Sequence, residues 1–515
     1  MSGAYGGRFA IVAALAALLA LTAAPAGAQD FRPGATSLGD PLYPQIGNGG
    51  YDALHYAIDL RYDPGANRLE PGTRTTITAV ATHPLSRFSL DFQRDLEVTS
   101  VLVDGEPARF RGKDARPRFS SNPAVTQPAK LHVTPAAGIP KGAQFSVEIA
   151  YAGVPVQITD GDESIEGWVR ACSSPGVCDG SFTVNEPIGA QSWFPSNDYA
   201  TDKASFATRI TAPGSHVALG AGELQSKAAN GDGTTTWTWL EDNPMAPYLA
   251  TATVGRFDYA ESVMTESTTG LDLPIYDAID SAAGADRKAD VERALSRTPS
   301  MLNFLSKRFG PYPFDSIGVV ADWVPAVGYA LENQTKPHFA GDRDGPAVQD
   351  ATLLHEIAHQ WMGNSISARH WTDLWFNEGW ATFAEVYWGS KVNDERQTPR
   401  QFFQAVIRSR AANFALAPAT LDGNPANLFD GFAVYSRPGA MIEGYRQIIG
   451  NERFFAFARG LGERHAYSTI NRGQFIGEAK RASGLGKAGK RRLGRYFRQW
   501  LLGEDKPRLR PGDFR

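Results

Sequence analysis

The chain is poor in cysteine. Two occur in 515 residues, Cys172 and Cys178, within "CSSPGVC". So few exclude a disulfide-scaffolded mini-domain, and no second Cys or His pair lies close enough to complete a cysteine zinc site. Long apolar runs are scarce as well. The run Phe9 to Thr22 is about 14 residues, short of the roughly 20 that a bilayer-spanning helix needs. A charge excess of either sign is also missing. The 51 Lys and Arg against 55 Asp and Glu leave −4, which argues against nucleic acid or anionic lipid as the main partner. The basic stretch Lys487 to Arg498 reads as the solvated face of a helix.

At the N-terminus Arg8, the apolar run and the small-residue site Ala26-Gly27-Ala28 predict an export signal over residues 1–28. The mature protein is then exported, periplasmic or secreted, with no stable membrane insertion. Retention of the segment as an anchor is the alternative. Export also explains the cysteines: an oxidising compartment and the Pro-Gly turn favour a local Cys172–Cys178 disulfide.

Length sets a multidomain chain. In "LHYAIDLRY" Leu54, Tyr56, Ile58, Leu60 and Tyr62 recur at period two, a half-buried strand. "TRTTITAVA", "LEVTSVLVDG", "QFSVEIAY" and "TTTWTWL" repeat the pattern. Residues 29–261 therefore read as an N-terminal β domain. After Pro274 the texture changes. "DRKADVERALSRTPSMLNFLSKRFG" predicts one helix with Val291, Leu295, Met301, Leu302 and Leu305 inward and Gly310 as its stop. A mixed α/β catalytic domain is expected over 262–480, with a helical tail over 481–515. The fold class is multidomain α+β.

The chemistry concentrates in "HEIAHQWMGN". The segment Ala347 to Met362 has helix-forming texture, so His355 and His359 fall one turn apart on one face. Two imidazoles so placed can share a Zn²⁺, with Glu356 beside them to accept a proton from the attacking water. A chance His-Glu-x-x-His is expected in roughly 1% of chains with this histidine content. Glu378, nineteen residues after His359 in "LWFNEGWATFAE", completes a His₂Glu set with a fourth position open. Glu385, seven residues on, shares its face and is a candidate to orient a ligand imidazole. His370 reads as a loop histidine.

These residues resemble the M1 family of zinc aminopeptidases, of the gluzincin clan, over about residues 46–502. "SWFPSNDYATDKASF" and "PMAPYLATATVG" are similar to family segments as well. The resemblance implies a thermolysin-like catalytic domain and further site residues. The family's G-x-M-E-N motif reads "GYALENQT" here, so Glu332 and Asn333 match, with Leu331 for Met and Tyr329 at the Gly position. In the family that Glu binds the substrate's α-amino group, and Tyr329 would reshape the first specificity pocket. "NEPIGAQSWFP" places Glu186 where a second amine-binding residue is expected. "FAVYSRPGAM" matches the family's Tyr-x-(Lys/Arg)-Gly-Ala at Tyr435, Arg437, Gly439 and Ala440, with Pro438 inserted. Tyr435 would stabilise the oxyanion, and Pro438 suits the first turn of a following helix. The implied protein is a short form, without the long C-terminal helical domain of many members.

The implied function is removal of N-terminal residues from peptides, with one Zn²⁺ per chain held by His355, His359 and Glu378. Glu356 would be the general base. Epoxide hydrolysis on the same scaffold is an alternative, separable by product analysis. A non-catalytic binding homologue is another, and would be marked by loss of a ligand or of the base.

Overall fold

The structure is a computed structural model that describes residues 30–116, 118–342, 344–392 and 397–514. The export signal expected over 1–28 lies outside the described residues. Among the described residues no helix is long and apolar enough to cross a membrane.

The N-terminal half is built of strands. A nine-stranded sheet centres on Tyr51–Asp63, flanked antiparallel by Arg74–Ala81 and parallel by Ala204–Pro213. Alternation along Tyr51–Asp63 holds from Tyr56 to Tyr62, whose odd-numbered neighbours face outward or lie half-buried. Leu54, expected inward, is instead 41% exposed. The cause is a bulge. Ala53 pairs with Ala79 and His55 with Thr78, so Leu54 is an extra residue without a partner, and the pleat reverses across it. An Asp-Gly turn follows Val103, with φ of 51° at Asp104 and 82° at Gly105, both left-handed as a tight hairpin turn requires. A four-stranded sheet runs Arg32–Pro33, Leu85–Asp91, Ala129–Thr134, Arg109–Asp114. A third sheet carries the hairpin of Ile165–Ser174 and Val177–Val184, across which Cys172 and Cys178 are disulfide-bonded. The Trp168, Trp193, Trp237 and Trp239 rings are buried in the core that unites these sheets.

The C-terminal half is mainly helical. Its helices are α1 (Ala285–Leu295), α2 (Thr298–Phe309), α3 (Asp350–His359), α4 (Trp375–Val392), α5 (Pro399–Arg408), α6 (Arg437–Ile449), α7 (Asn451–His465), α8 (Arg472–Ala482) and α9 (Lys487–Leu501). They pack beside a five-stranded mixed sheet whose edge strand is Ala330–Leu331. The single helix expected across residues 286–310 is two, α1 and α2. Pro299 lies in the first turn of α2. A continuous helix would need its missing N–H to reach the Leu295 carbonyl, and its ring would clash there. The inward residues and the Gly310 stop are as the periodicity indicates. Trp375, Trp380, Phe454, Phe497 and Trp500 pack into a second core. Helix α9 contributes Leu493, Tyr496 and Phe497 to it, leaving its basic face outward. The strand-rich first half followed by a helix-containing catalytic half is the expected fold class.

Candidate zinc site

Helix α3 spans Asp350–His359, three residues shorter at its C-terminus than the sequence suggests. Beyond His359 the chain turns back, with the Asn364 N–H donating to the His359 carbonyl at 2.9 Å and Gly363 at a φ of 148°. His355 and His359 remain one turn apart, their ring centroids 4.8 Å from each other. Glu378 sits in the first turn of α4, which packs on α3. One of its oxygens lies 3.1 Å from His355 Nε2 and 3.4 Å from His359 Nε2. All three ligand atoms fall within 4.8 Å of one another.

Each imidazole is oriented by its other nitrogen. His359 Nδ1 lies 3.2 Å from the Met362 carbonyl, and His355 Nδ1 lies 3.5 Å from Glu385. That leaves both Nε2 atoms on the Glu378 side, the arrangement in which outer carboxylates and carbonyls hold ligating histidines. Burial alone would raise the Glu378 carboxyl, but the two imidazoles outweigh it and hold the group at about 2. Burial would lower His359, yet Glu332 and Glu378 raise it to about 9. The pocket thus demands positive charge where the three side chains meet. Two imidazole nitrogens and one carboxylate oxygen, buried and convergent, fit zinc with an open position.

Around this set lies a cavity of about 340 Å³. Glu356, on the helical turn between the two histidines, has an oxygen within 4.8 Å of a Glu332 oxygen and a His359 nitrogen. Burial pushes its carboxyl up to about 7, against the pull of His355 and His359, a value suited to a group that takes and returns a proton near neutrality. Tyr435 lines the cavity with its ring 6.1 Å from that of His355. Glu186 and Glu332 line it too. Each is almost fully buried, each has a carboxylate oxygen with no partner, and burial raises both carboxyls. Glu385 and Tyr329 complete part of the wall, with the Tyr329 hydroxyl donating to the Ile165 carbonyl at 2.8 Å.

One residue of the sequence-derived set lies elsewhere. Asn333 stands behind the wall: its amide donates to the carbonyls of Ala250 at 3.2 Å and Thr183 at 3.4 Å. His370 is a strut away from the cavity, its Nδ1 2.9 Å from the Tyr199 hydroxyl.

Two further residues of structural consequence carry no obvious sequence signal. Gln360 and Asn364, in the same segment as the histidines, donate to the Glu332 carbonyl at 3.1 and 2.7 Å. They tie the end of α3 to the strand that presents Glu332. Arg437 is fully buried, and its guanidinium donates to the carbonyls of Phe414, Leu416, Gln499 and Gly503. It directly follows a π-helical turn, Gly431–Ser436, that carries Tyr435. Pro438 lies in the first turn of α6, as expected.

The profile of the peptidase family M1 domain matches residues 294–500, and that of the peptidase M1 N-terminal domain matches residues 53–249. The chain belongs to peptidase family M1. Glutamyl aminopeptidase of Bos taurus is 26% identical over 325 residues, covering 59% of this chain and 32% of that protein. Endoplasmic reticulum aminopeptidase 1 of Homo sapiens is 24% identical, covering 63% of this chain and 35% of its own length. The chain thus spans about a third of the length of the curated relatives it matches. In fold it is similar to an M1 zinc metallopeptidase mutant of Deinococcus radiodurans bound to a Tyr-Ser-Ala substrate. That similarity has a TM-score of 0.77 at 23% identity and covers 92% of this chain and 99% of the other.

Proposed function

We propose that this protein is a zinc-dependent aminopeptidase, binding one Zn²⁺ per chain and releasing the N-terminal residue of peptides that carry a free α-amine. The observation that carries this reading is the pair of buried carboxylates, Glu186 and Glu332. Each has an oxygen without a hydrogen-bond partner, and both residues line the cavity that holds the His₂Glu set. Two buried carboxylates sharing a cavity need a cation between them, and a substrate ammonium supplies one. An internal peptide bond offers none, so cleavage is confined to the chain end.

His355, His359 and Glu378 would hold the metal. When bound, zinc supplies Lewis acidity toward the scissile carbonyl and makes the attacking water more acidic. Glu356 accepts the proton of that water and returns it to the leaving amine. The Tyr435 hydroxyl donates to the oxygen on which negative charge develops. Glu385 fixes the His355 ring, while Gln360 and Asn364 fix the backbone of Glu332. The disulfide and the export signal together support an exported protein.

The test is hydrolysis of aminoacyl fluorogenic substrates with free and N-acetylated amines. Removing one partner of a desolvated charged contact costs about 2–5 kcal/mol, so acetylation should lower kcat/KM by roughly 30- to 4,000-fold. Glu332→Ala should show most of that loss on the free amine and little more on the acetylated one. Equal cleavage of both substrates by the wild type would overturn the reading and leave an endopeptidase.

A further inference from the structure

The four-stranded sheet of the N-terminal half carries a cluster of cations on one face that the fold does not neutralise. Residues two apart on a strand share a face, which places Arg109, Arg111 and Lys113 together on Arg109–Asp114. The register sets Thr134 opposite Arg109 and His132 opposite Arg111. Across the other side of the same central strand Ser89 pairs with His132, so Arg87 joins this face. Arg87, Arg109, Arg111, Lys113 and His132 line a concavity of about 310 Å³ that contains no carboxylate.

These four Arg and Lys side chains are exposed, and among the described residues none makes an ion pair or a side-chain hydrogen bond. The acid at the end of the strand, Asp114, belongs by alternation to the other face, where it pairs with Arg94 at 3.1 Å. His132 Nδ1 is buried without a partner. Burial and the neighbouring Arg87 and Lys113 charges lower the basicity of its ring. The large sheet treats its cations differently, since Asp59 takes both Arg74, at 3.2 Å, and Arg209, at 3.0 Å. Unpaired cations gathered around one concavity repel one another, and an anion from outside would relieve that repulsion. Strands lie about 4.8 Å apart and same-face residues about 6.7 Å apart along a strand. Guanidinium forks on such a grid can engage two adjacent oxyanion groups, each through paired N–H donors.

We propose that this concavity binds a small molecule carrying two or more phosphate or sulfate groups. It shares no residue with the peptidase cavity. The overall charge of −4 does not oppose it, because a sum over the chain conceals a local cluster of one sign.

The experiment is calorimetric titration of the full-length, zinc-loaded protein with fructose 1,6-bisphosphate at low ionic strength. Sedimentation with vesicles of phosphatidylglycerol and phosphatidylcholine runs in parallel. Saturable binding at one site per chain is expected. The double variant Arg109→Ala/Arg111→Ala should weaken it at least tenfold, while peptide hydrolysis stays at the wild-type rate and shows that the variant is folded. Absence of saturable binding, or equal binding by the double variant, would overturn the proposal. Vesicle binding without bisphosphate binding would overturn it too, since the cations would then serve a membrane surface rather than a discrete ligand.

Discussion

Alanine at position 379 should impair turnover while leaving the zinc ligands in place. Gly379 directly follows Glu378 on α4, at the point where that helix meets α6. A Cβ built there would lie 2.7 Å from Pro438 Cβ and 3.2 Å from the Pro438 carbonyl carbon, where ordinary contact begins at 3.4 Å. Pro438 cannot rotate aside as a flexible side chain would, because its ring is closed onto the backbone. The two helices must therefore separate by about 0.7 Å or more, the kind of overpacking that costs about 1–3 kcal/mol. Glu378 lies one residue before the contact on one helix, and Tyr435 three residues before it on the other chain segment. The separation thus falls between Glu378 and Tyr435, the proposed metal-binding carboxylate and oxyanion donor. Misplacement of catalytic groups by about 1 Å can cost roughly 100-fold, so Gly379→Ala should lose about 10- to 100-fold in kcat with zinc content unchanged. Steady-state kinetics, elemental analysis and denaturant unfolding read the three quantities. The sign of the stability change is decisive. Helix propensity alone would make alanine more stable than glycine by about 0.8–1.0 kcal/mol, whereas the clash makes it less stable. A Gly379→Ala protein with wild-type kcat and equal or greater stability would refute the argument. Gly439→Ala should be milder, because its Cβ would meet the Thr382 side chain at 3.0 Å rather than a proline ring at 2.7 Å.

His359→Ala should lose its zinc, measured by elemental analysis; full retention would remove His359 from the ligand set. Glu356→Gln should keep zinc and lose about 100- to 10,000-fold in kcat, the usual worth of a positioned base. A near-wild-type rate would assign the proton elsewhere. The titratable side chains that line the cavity away from the histidines include Asp162, Glu186, Glu332 and Glu385, and the lining contains no Lys or Arg. Substrates with N-terminal Glu should therefore be cleaved at least tenfold more slowly than those with N-terminal Arg, about 1.4 kcal/mol in kcat/KM. A preference for Glu would contradict this electrostatic reading. Thiol labelling of the exported protein without reductant should find neither Cys172 nor Cys178 reactive, and two labelled thiols would exclude the bridge in that compartment.

The His₂Glu cluster was readable in the sequence because its geometry is mostly local. Two histidines four apart on a helix share a face whatever surrounds them, and Glu378 needed only a neighbouring helix. Features that depend on a distant partner were not readable. Leu54 belongs to an alternating run, yet a bulge set by its pairing with Arg74–Ala81 turns it outward. Pro299 was visible in its segment, but the apolar spacing on both sides of it also fitted one helix, and only the break at Ser296–Arg297 shows that proline geometry prevailed. Asn333 matched a motif position, while its side chain is directed to backbone carbonyls more than 80 residues away in sequence.

Arg437 shows why a motif can be recognised before it is understood. The sequence places it two residues after Tyr435 and suggests only that a basic residue belongs there. In the fold its guanidinium is buried and donates to two carbonyls of the 414–416 segment and two at the end of α9. A buried charge of this kind is tolerated where its donors are nearly all satisfied, and four carbonyls accomplish most of that. Burial accordingly lowers its pKa only to about 10, so it remains charged and keeps its donors near neutral pH. The bonds tie the turn that carries Tyr435 to Gln499 and Gly503, more than 60 residues further along the chain. The same helix places Trp500 and Phe497 in the core shared with Trp375 and Trp380 of α4. Helix α9 therefore reaches both sides of the site: the Phe475 ring of α8, 5.5 Å from Phe497 and 5.4 Å from Trp375, links it to the helix of Glu378, and through Arg437 it anchors the segment of Tyr435. The basic stretch read in sequence as the solvated face of a helix is that in the structure, and the opposite, apolar face of the same helix connects to the segments of Glu378 and Tyr435.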